Sequence, residues 1–357
     1  MTKQYDLITM GRSSIDLYSN NSGAPFEEIS EFGAFVGGCP TNIAVGTQRL
    51  GFKSLLLTAV GDDPVGKFVL NFLNKESIET GFIPVKPGTR TSAVVLGIEP
   101  PDKFPLVFYR DNCADIELNI DDVQKLPFED ARALLISGTG LSKEPSRSAT
   151  IFALEQARKH NLKTFLDIDF RADQWHDVRA FGVAIRSVLP MIDVAIGTQE
   201  EVNAAVLSDN AQLEISDSQI SAPKVSGDVT HAIQELLARG PRMLVEKRGA
   251  EGAAVHLQDG TVVTAQPFKV DVCNVLGAGD AFASGFIYGY LNGWPLEKCV
   301  RMGNATGAIV VSRQGCANFM PTYKEAIDLI ESQGGFKTEV MSGNVSPLEG
   351  SPAACLS

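Results

Sequence analysis

The chain is predicted to fold as a three-layer α/β domain, a mostly parallel sheet between two layers of helices, with extra strands outside the alternation. Three observations predict this. Short apolar runs alternate with helical patterns along most of the 357 residues. Those runs are apolar throughout, as strands buried on both faces must be. Two segments, about 12–36 and 88–112, interrupt the alternation with helix-poor sequence.

Taken in order, the first strand is Leu7–Met10, and the 12–36 segment after it is helix-poor. A helix at 41–49 opens at Asn42, and a strand at 55–60 and a helix at 65–75 follow. The second interruption is 88–112, where the runs 91–98 and 106–109 read as a hairpin joined through Pro100 and Pro101. Strands at 133–137, 164–168, 194–197 and 243–247 then alternate with helices at 146–159, 176–188 and 231–238. Helices at 281–292, 297–312 and 323–332 complete the domain, which is expected to span 1–336. The polar, aperiodic stretch 208–229 reads as an insertion loop. The Ser-, Gly- and Pro-rich stretch 337–357 reads as a disordered tail.

Composition narrows the function classes. A net charge of −12 argues against nucleic acid or an anionic membrane as partner. No apolar run reaches the roughly 20 residues of a membrane span, and the start MTKQYDLITMG lacks the basic and apolar regions of a signal peptide. The six cysteines form no CxxC pair, so reduced thiols in a cytoplasmic protein are expected. Neither they nor the four histidines show the spacing of a zinc site.

The most informative stretch is Gly277-Ala278-Gly279-Asp280, ahead of an apolar helical pattern at Phe282, Phe286 and Tyr290. It sets the amides of Gly277, Ala278 and Gly279 at a helix N-terminus, where they can point at one anion, with Asp280 in the first turn. Amides that hold a transferring phosphoryl group beside a carboxylate that accepts a hydroxyl proton are what a small-molecule kinase needs. The alternative is a tight glycine turn whose aspartate only favours the helix dipole. A second run, Gly37-Gly38-Cys39-Pro40-Thr41-Asn42, combines a close backbone approach with a helix start.

With both runs in this order, the chain from about Tyr5 to Ile330 resembles the ribokinase-like (PfkB) sugar kinases. The resemblance implies ATP- and Mg²⁺-dependent phosphorylation of a primary hydroxyl on a small sugar derivative, with the strands of about 12–36 and 88–112 forming a small β lid often used for dimer contacts. Asp280 becomes the catalytic carboxylate, with the amides of 277–279 at the γ-phosphoryl group. Asp16 and Asn42 fall in the sugar site with Gly38, although Arg12 is not a typical residue of that family at its position. Lys247, Gly249 and Gly252 lie on the loop beside ATP, and Asn304 lies where adenine packs. Thr198 and Glu201 stand where the family organises water around the magnesium-nucleotide. Thr198 replaces the usual asparagine, and a capping box explains the same pair equally well. A monovalent cation remains open.

Arg110 and Arg171 point to the substrate class. Guanidinium forks match planar carboxylates, which a neutral sugar lacks, and the alternative is surface ion pairing. The positions resemble those at which kinases of keto-deoxy sugar acids hold the substrate carboxylate. Asp169 stands where that motif has Asn. The runs ITMGRSSIDLYSN, FVGGCPTNIAVG, LGIEPPDKFPLVFYRDNCADI and LDIDFRADQW are similar to the 5-dehydro-2-deoxygluconokinases of myo-inositol catabolism. The rivals are 2-dehydro-3-deoxygluconokinases, fructokinase- or ribokinase-type enzymes, and, from another class, a non-catalytic nucleotide-binding regulator. A dinucleotide-dependent dehydrogenase would need G-x-G-x-x-G after the first strand, and Gly11-Arg12-Ser13 does not supply it.

Overall fold

The computed structural model describes residues 3–99, 104–214 and 223–336. The tail 337–357 and part of the 208–229 stretch lie outside the described residues, as do Pro100 and Pro101. An eight-stranded sheet runs in the order Val262–Ala265, Ala253–Leu257, Met243–Lys247, Val194–Thr198, Lys163–Asp167, Ala133–Ser137, Leu7–Met10, Ser54–Leu57. The six strands from Met243–Lys247 to Ser54–Leu57 are parallel. The first two form an antiparallel edge.

Alternate residues of each strand feed opposite layers. Leu134, Ile136 and Leu166 pack into one core with Ala149, Phe181 and Ile233 from the helices Ser146–Lys159, Val178–Val188 and Val229–Leu237. Ala133, Leu135 and Phe165 turn the other way, onto Ile43, Phe286 and Val300 from the helices Cys39–Arg49, Ala278–Leu291 and Leu296–Val311. This is the three-layer arrangement that continuous apolar strands predict.

A separate four-stranded sheet, ordered Phe32–Gly37, Ser14–Ser19, Ser92–Leu96, Leu106–Tyr109, is the small lid. The expected hairpin is present, with Ala93 opposite Tyr109 and Leu96 opposite Leu106. The run at 55–60 is not one strand. It stops at Leu57, and Val60 instead pairs with Val85 in a two-residue ladder. Alternation did not reveal the edge strands Ala253–Leu257 and Val262–Ala265, because AAVHL and VVTA carry little pattern. Nor did it reveal the seven-residue helix Gln199–Ala205.

The helices Ala278–Leu291 and Leu296–Val311 pack closely because glycines face the contact. A Cβ on Gly285 would lie 2.5 Å from Thr306 Oγ1 and 2.7 Å from the Met302 carbonyl oxygen. The Met302 contact is backbone and cannot yield cheaply. Gly285→Ala should therefore cost about 1–3 kcal/mol despite the better helix propensity of alanine, seen as a lower urea midpoint at an unchanged m-value. An unchanged midpoint would show that the two helices can separate without penalty.

Candidate active site

The parallel sheet delivers chemistry to one edge. The adjacent strands Ala133–Ser137, Lys163–Asp167, Val194–Thr198 and Met243–Lys247 end in Ser137, Asp167, Thr198 and Lys247. Ligands of open α/β sheets bind beyond these carboxyl ends. A cavity of about 750 Å³ lies there, lined by Asp167, Asp169, Arg171, Thr198, Glu201 and Lys247 from the strand ends. The lid adds Asp16, Val94, Leu106 and Phe108, and the helix starts add Gly38, Asn42, Gly277, Gly279 and Asp280.

Gly277, in a left-handed conformation (φ 76°), is the N-cap of the Ala278–Leu291 helix and supplies no side-chain cap. The Ala278 amide donates to the Val275 carbonyl at 3.4 Å, and the amides of Gly279 and Asp280 are left for another acceptor. Asp280 is the third helical residue, and Asn42 Nδ2 donates to its Oδ2 at 2.6 Å. Asn42 is not a helix cap. Gly38 holds that position, and the Asn42 amide donates to the Gly38 carbonyl at 2.8 Å inside the first turn of Cys39–Arg49. Burial pushes the Asp280 carboxyl up to about 6, and the Asn42 hydrogen bond works against the rise. Gly38 lies in the left-handed region (φ 110°), where a Cβ would lie 2.3 Å from the Arg12 carbonyl oxygen.

Lys247 sits between two carboxylates, with Nζ 3.3 Å from Asp167 and 3.6 Å from Glu201. Burial opposes its charge, but Asp167, Glu201 and Asp280 hold its pKa above the usual range. Burial pushes Asp167 upward, with Lys247 opposing. Thr198 and Glu201 form a capping box: Thr198 Oγ1 accepts from the Glu201 amide at 3.2 Å, and Glu201 Oε2 accepts from the Thr198 amide at 2.7 Å. The cap and a wall of the cavity are thus the same pair. These oxygens, with Asp167, are hard donors of the kind that suits a hydrated Mg²⁺. The uncapped helix start and the Lys247 ammonium suit the phosphates of a nucleotide.

Arg171 follows the Lys163–Asp167 strand and lines the cavity. Its guanidinium lies 3.1 Å from Asp169 and 3.9 Å from Glu201, and Nη1 donates to the Phe170 carbonyl at 2.9 Å. Burial disfavours the Asp169 charge, but Arg171 and Arg12 together hold its carboxyl below the usual range. Asp169 has φ 41°, a left-handed conformation that Asn and Asp tolerate better than most residues. Asp16 is buried on the lid strand, accepting from Ser14 Oγ at 2.6 Å and Tyr18 OH at 3.1 Å. Burial pushes its carboxyl upward, and Arg12 partly offsets this.

Other expected site residues lie elsewhere. Arg110 does not reach the cavity. It is 3 % exposed, pairs with Asp115 at 2.7 Å and donates to the Thr139 carbonyl at 3.1 Å. Its fork is spent tying the lid hairpin to the following segment. Asn304 uses its amide on the carbonyls of Ala265 and Gln266, at 2.9 and 3.0 Å. Ala278, Gly249, Gly252 and Asn304 are not among the residues that line the cavity. Conversely, Arg12, Asp167 and Phe108 line it although no role was foreseen for them. Their signal was positional: one follows the first strand, one ends another, and one sits on the lid hairpin. Cys39 Sγ lies within 4.8 Å of ligand oxygens of both Asp167 and Asp280. Burial and the Asp280 charge push its thiol well above the usual range, so it stays neutral.

Comparison with known proteins fits this geometry. A 5-dehydro-2-deoxygluconokinase of Bacillus anthracis is 34% identical over 331 residues, which is 92% of this chain and 96% of that protein. One of Geobacillus thermodenitrificans is 34% identical over 330 residues, covering 92% and 94%. Among solved structures, a fructokinase of Xylella fastidiosa with bound ATP superposes with a TM-score of 0.77 at 22% identity, over 92% of this chain and 98% of its own. The sequence profile of the pfkB family of carbohydrate kinases matches residues 5–323, and the chain belongs to that family.

Proposed function

We propose that this protein phosphorylates the terminal primary hydroxyl of 5-dehydro-2-deoxy-D-gluconate, with ATP as donor and Mg²⁺ as its counter-ion, in myo-inositol catabolism. The observation that carries the substrate class is the presence of Asp280 and the Arg171 guanidinium in one cavity, at the ends of the same sheet. The 34% identity to 5-dehydro-2-deoxygluconokinases over most of the chain supports the particular acid.

In this reading the hydroxyl to be phosphorylated lies against Asp280, which Asn42 holds in one orientation. A loose phosphoryl-transfer transition state needs little early deprotonation, so Asp280 takes the proton late. The amides at the start of the Ala278–Leu291 helix and the Lys247 ammonium stabilise the charge on the moving group. Thr198 and Glu201 would hold Mg²⁺ through water, and the ion would supply further charge neutralisation. Gly249, Gly252 and Asn304 border the nucleoside end. The lid excludes water that would otherwise compete as acceptor.

Assembly through the lid belongs to the same proposal. Phe32, Val107 and Tyr109 on lid strands are 38 %, 40 % and 60 % exposed. A cytoplasmic location fits the free thiols of Cys39, Cys113, Cys299 and Cys316, which are all buried. Among the described residues no helix is long and apolar enough to cross a membrane.

The test is a panel of sugar acids and neutral ketoses assayed for ADP release. The acid should exceed fructose and ribose in kcat/KM by at least tenfold, and a preference for either neutral sugar would sink the substrate assignment. A second expectation concerns pH. Because Asp280 must be ionised to accept a proton and its carboxyl is raised to about 6, kcat/KM should fall below about pH 6 with unit slope. A profile that stays flat to pH 5 would remove Asp280 as the base.

A further inference from the structure

Arg12 is a buried cation that lacks a close carboxylate, although its charge acts at longer range on Asp16 and Asp169. It joins the first strand of the sheet to the first strand of the lid, is 7 % exposed and lines the cavity. Among the described residues its guanidinium makes one hydrogen bond, from Nη1 to Ser14 Oγ at 2.8 Å. Among the described residues no carboxylate oxygen lies within 4.0 Å of it, in contrast to Arg110 on Asp115 and Arg171 on Asp169. Taking a guanidinium out of water without a partner anion carries a solvation cost, and proteins normally offset it with a close carboxylate. Here the guanidinium is held in place instead, 4.8 Å above the ring of Phe108, which also lines the cavity. None of its nitrogens is among the buried polar atoms without partners. The N–H groups not used on Ser14 are therefore not sealed in, on a residue that lines the cavity.

We propose that Arg12 is the lid-side fork that binds the substrate carboxylate and sets the preference for acids over neutral sugars, the place the sequence had assigned to Arg110. This rests on the sugar-acid reading above. A planar fork fixed on an aromatic face matches a carboxylate in two parallel hydrogen bonds. Ser14 links Arg12 to Asp16, with Ser14 Oγ donating to Asp16 Oδ1 at 2.6 Å, so carboxylate and hydroxyl recognition share one lid strand. Arg12 and Arg171 are also the two leading cations acting on Asp169, and both line the cavity. The substrate acid then supplies the close carboxylate that Arg12 lacks among the described residues.

The test compares 5-dehydro-2-deoxy-D-gluconate with its analogue carrying an alcohol in place of the carboxylate, in wild type, Arg12→Met, Arg12→Lys and Phe108→Ala. Arg12→Met should raise KM for the acid about ten- to a hundredfold, leave KM for ATP unchanged, and alter kcat/KM for the analogue less than threefold. Arg12→Lys restores charge without the fork and should recover part of the loss. Phe108→Ala leaves Arg12 in the chain and should raise KM for the acid several-fold, which keeps the inference open to refutation if Arg12→Met misfolds. Equal losses on acid and analogue, or a raised KM for ATP, would overturn the role. Wild-type acid preference that persists in Arg12→Met sinks Arg12 alone. A wild type with no acid preference sinks the substrate reading together with it.

Discussion

Asp280→Asn should lower kcat by about 10²-fold or more while ATP binding stays nearly intact and the melting temperature holds or rises. The kinetic half follows from position. Asp280 stands in the first turn of a helix with no side-chain cap, and Asn42 donates to its Oδ2 at 2.6 Å. An asparagine carbonyl can accept that same hydrogen bond, so the variant keeps the local geometry and loses only the ability to take a proton. The stability half follows from linkage. The Asp280 carboxyl rises from the ordinary 3.8 to about 6 in the fold, so the folded state binds its proton more tightly than the unfolded chain does. This group therefore favours folding most below its unfolded value. That contribution is lost as pH climbs to about 6, leaving an unfavourable buried charge at neutrality. Removing the charge relieves the strain. Turnover in the variant above a tenth of wild type would show that the carboxylate is dispensable, whatever happens to the melting temperature.

The layers were legible in the sequence because strands buried on both faces must be apolar throughout. ALLIS at 133–137 and MLVEK at 243–247 begin and end where the pattern places them. The antiparallel edge was not legible, since AAVHL and VVTA are short and barely alternate. At the site, motifs gave the residues on helix starts, because a Gly-rich turn before Asp280 has a local reason to exist. Arginines were another matter. Arg110, Arg171 and Arg12 are equally unremarkable as single letters, and the fold alone decides which guanidinium is already spent. Asp115 lies five residues from Arg110 in sequence, but nothing local says that the hairpin closes them into a pair at 2.7 Å. Likewise, that no described carboxylate comes within 4.0 Å of Arg12 is a property of the packing of lid on sheet, which no window of sequence contains.

Arg171→Ala is the variant with the other large effect, and its reading depends on a companion. Arg171 is predicted to bind the substrate carboxylate from the strand-end side, so its loss should cost about ten- to a hundredfold or more in kcat/KM, confined to acids. The same guanidinium lies 3.1 Å from Asp169, whose side chain is only 4 % exposed and whose other partner is Thr139 Oγ1 at 3.0 Å. Truncation thus strands a buried carboxylate, and a fall in melting temperature will accompany the kinetic loss. Arg171→Lys separates the two effects. An ammonium still neutralises Asp169, restoring the melting temperature, but it presents a point charge where the acid needs a fork, so most of the kinetic loss should remain. If Lys restores both together, Arg171 serves Asp169 and not the substrate. Combining Arg171→Lys with Arg12→Met completes the argument. Two forks on one carboxylate cannot act independently, so the combined loss should fall short of the product of the single losses. Simple multiplication of the two would mean that the guanidiniums serve different groups.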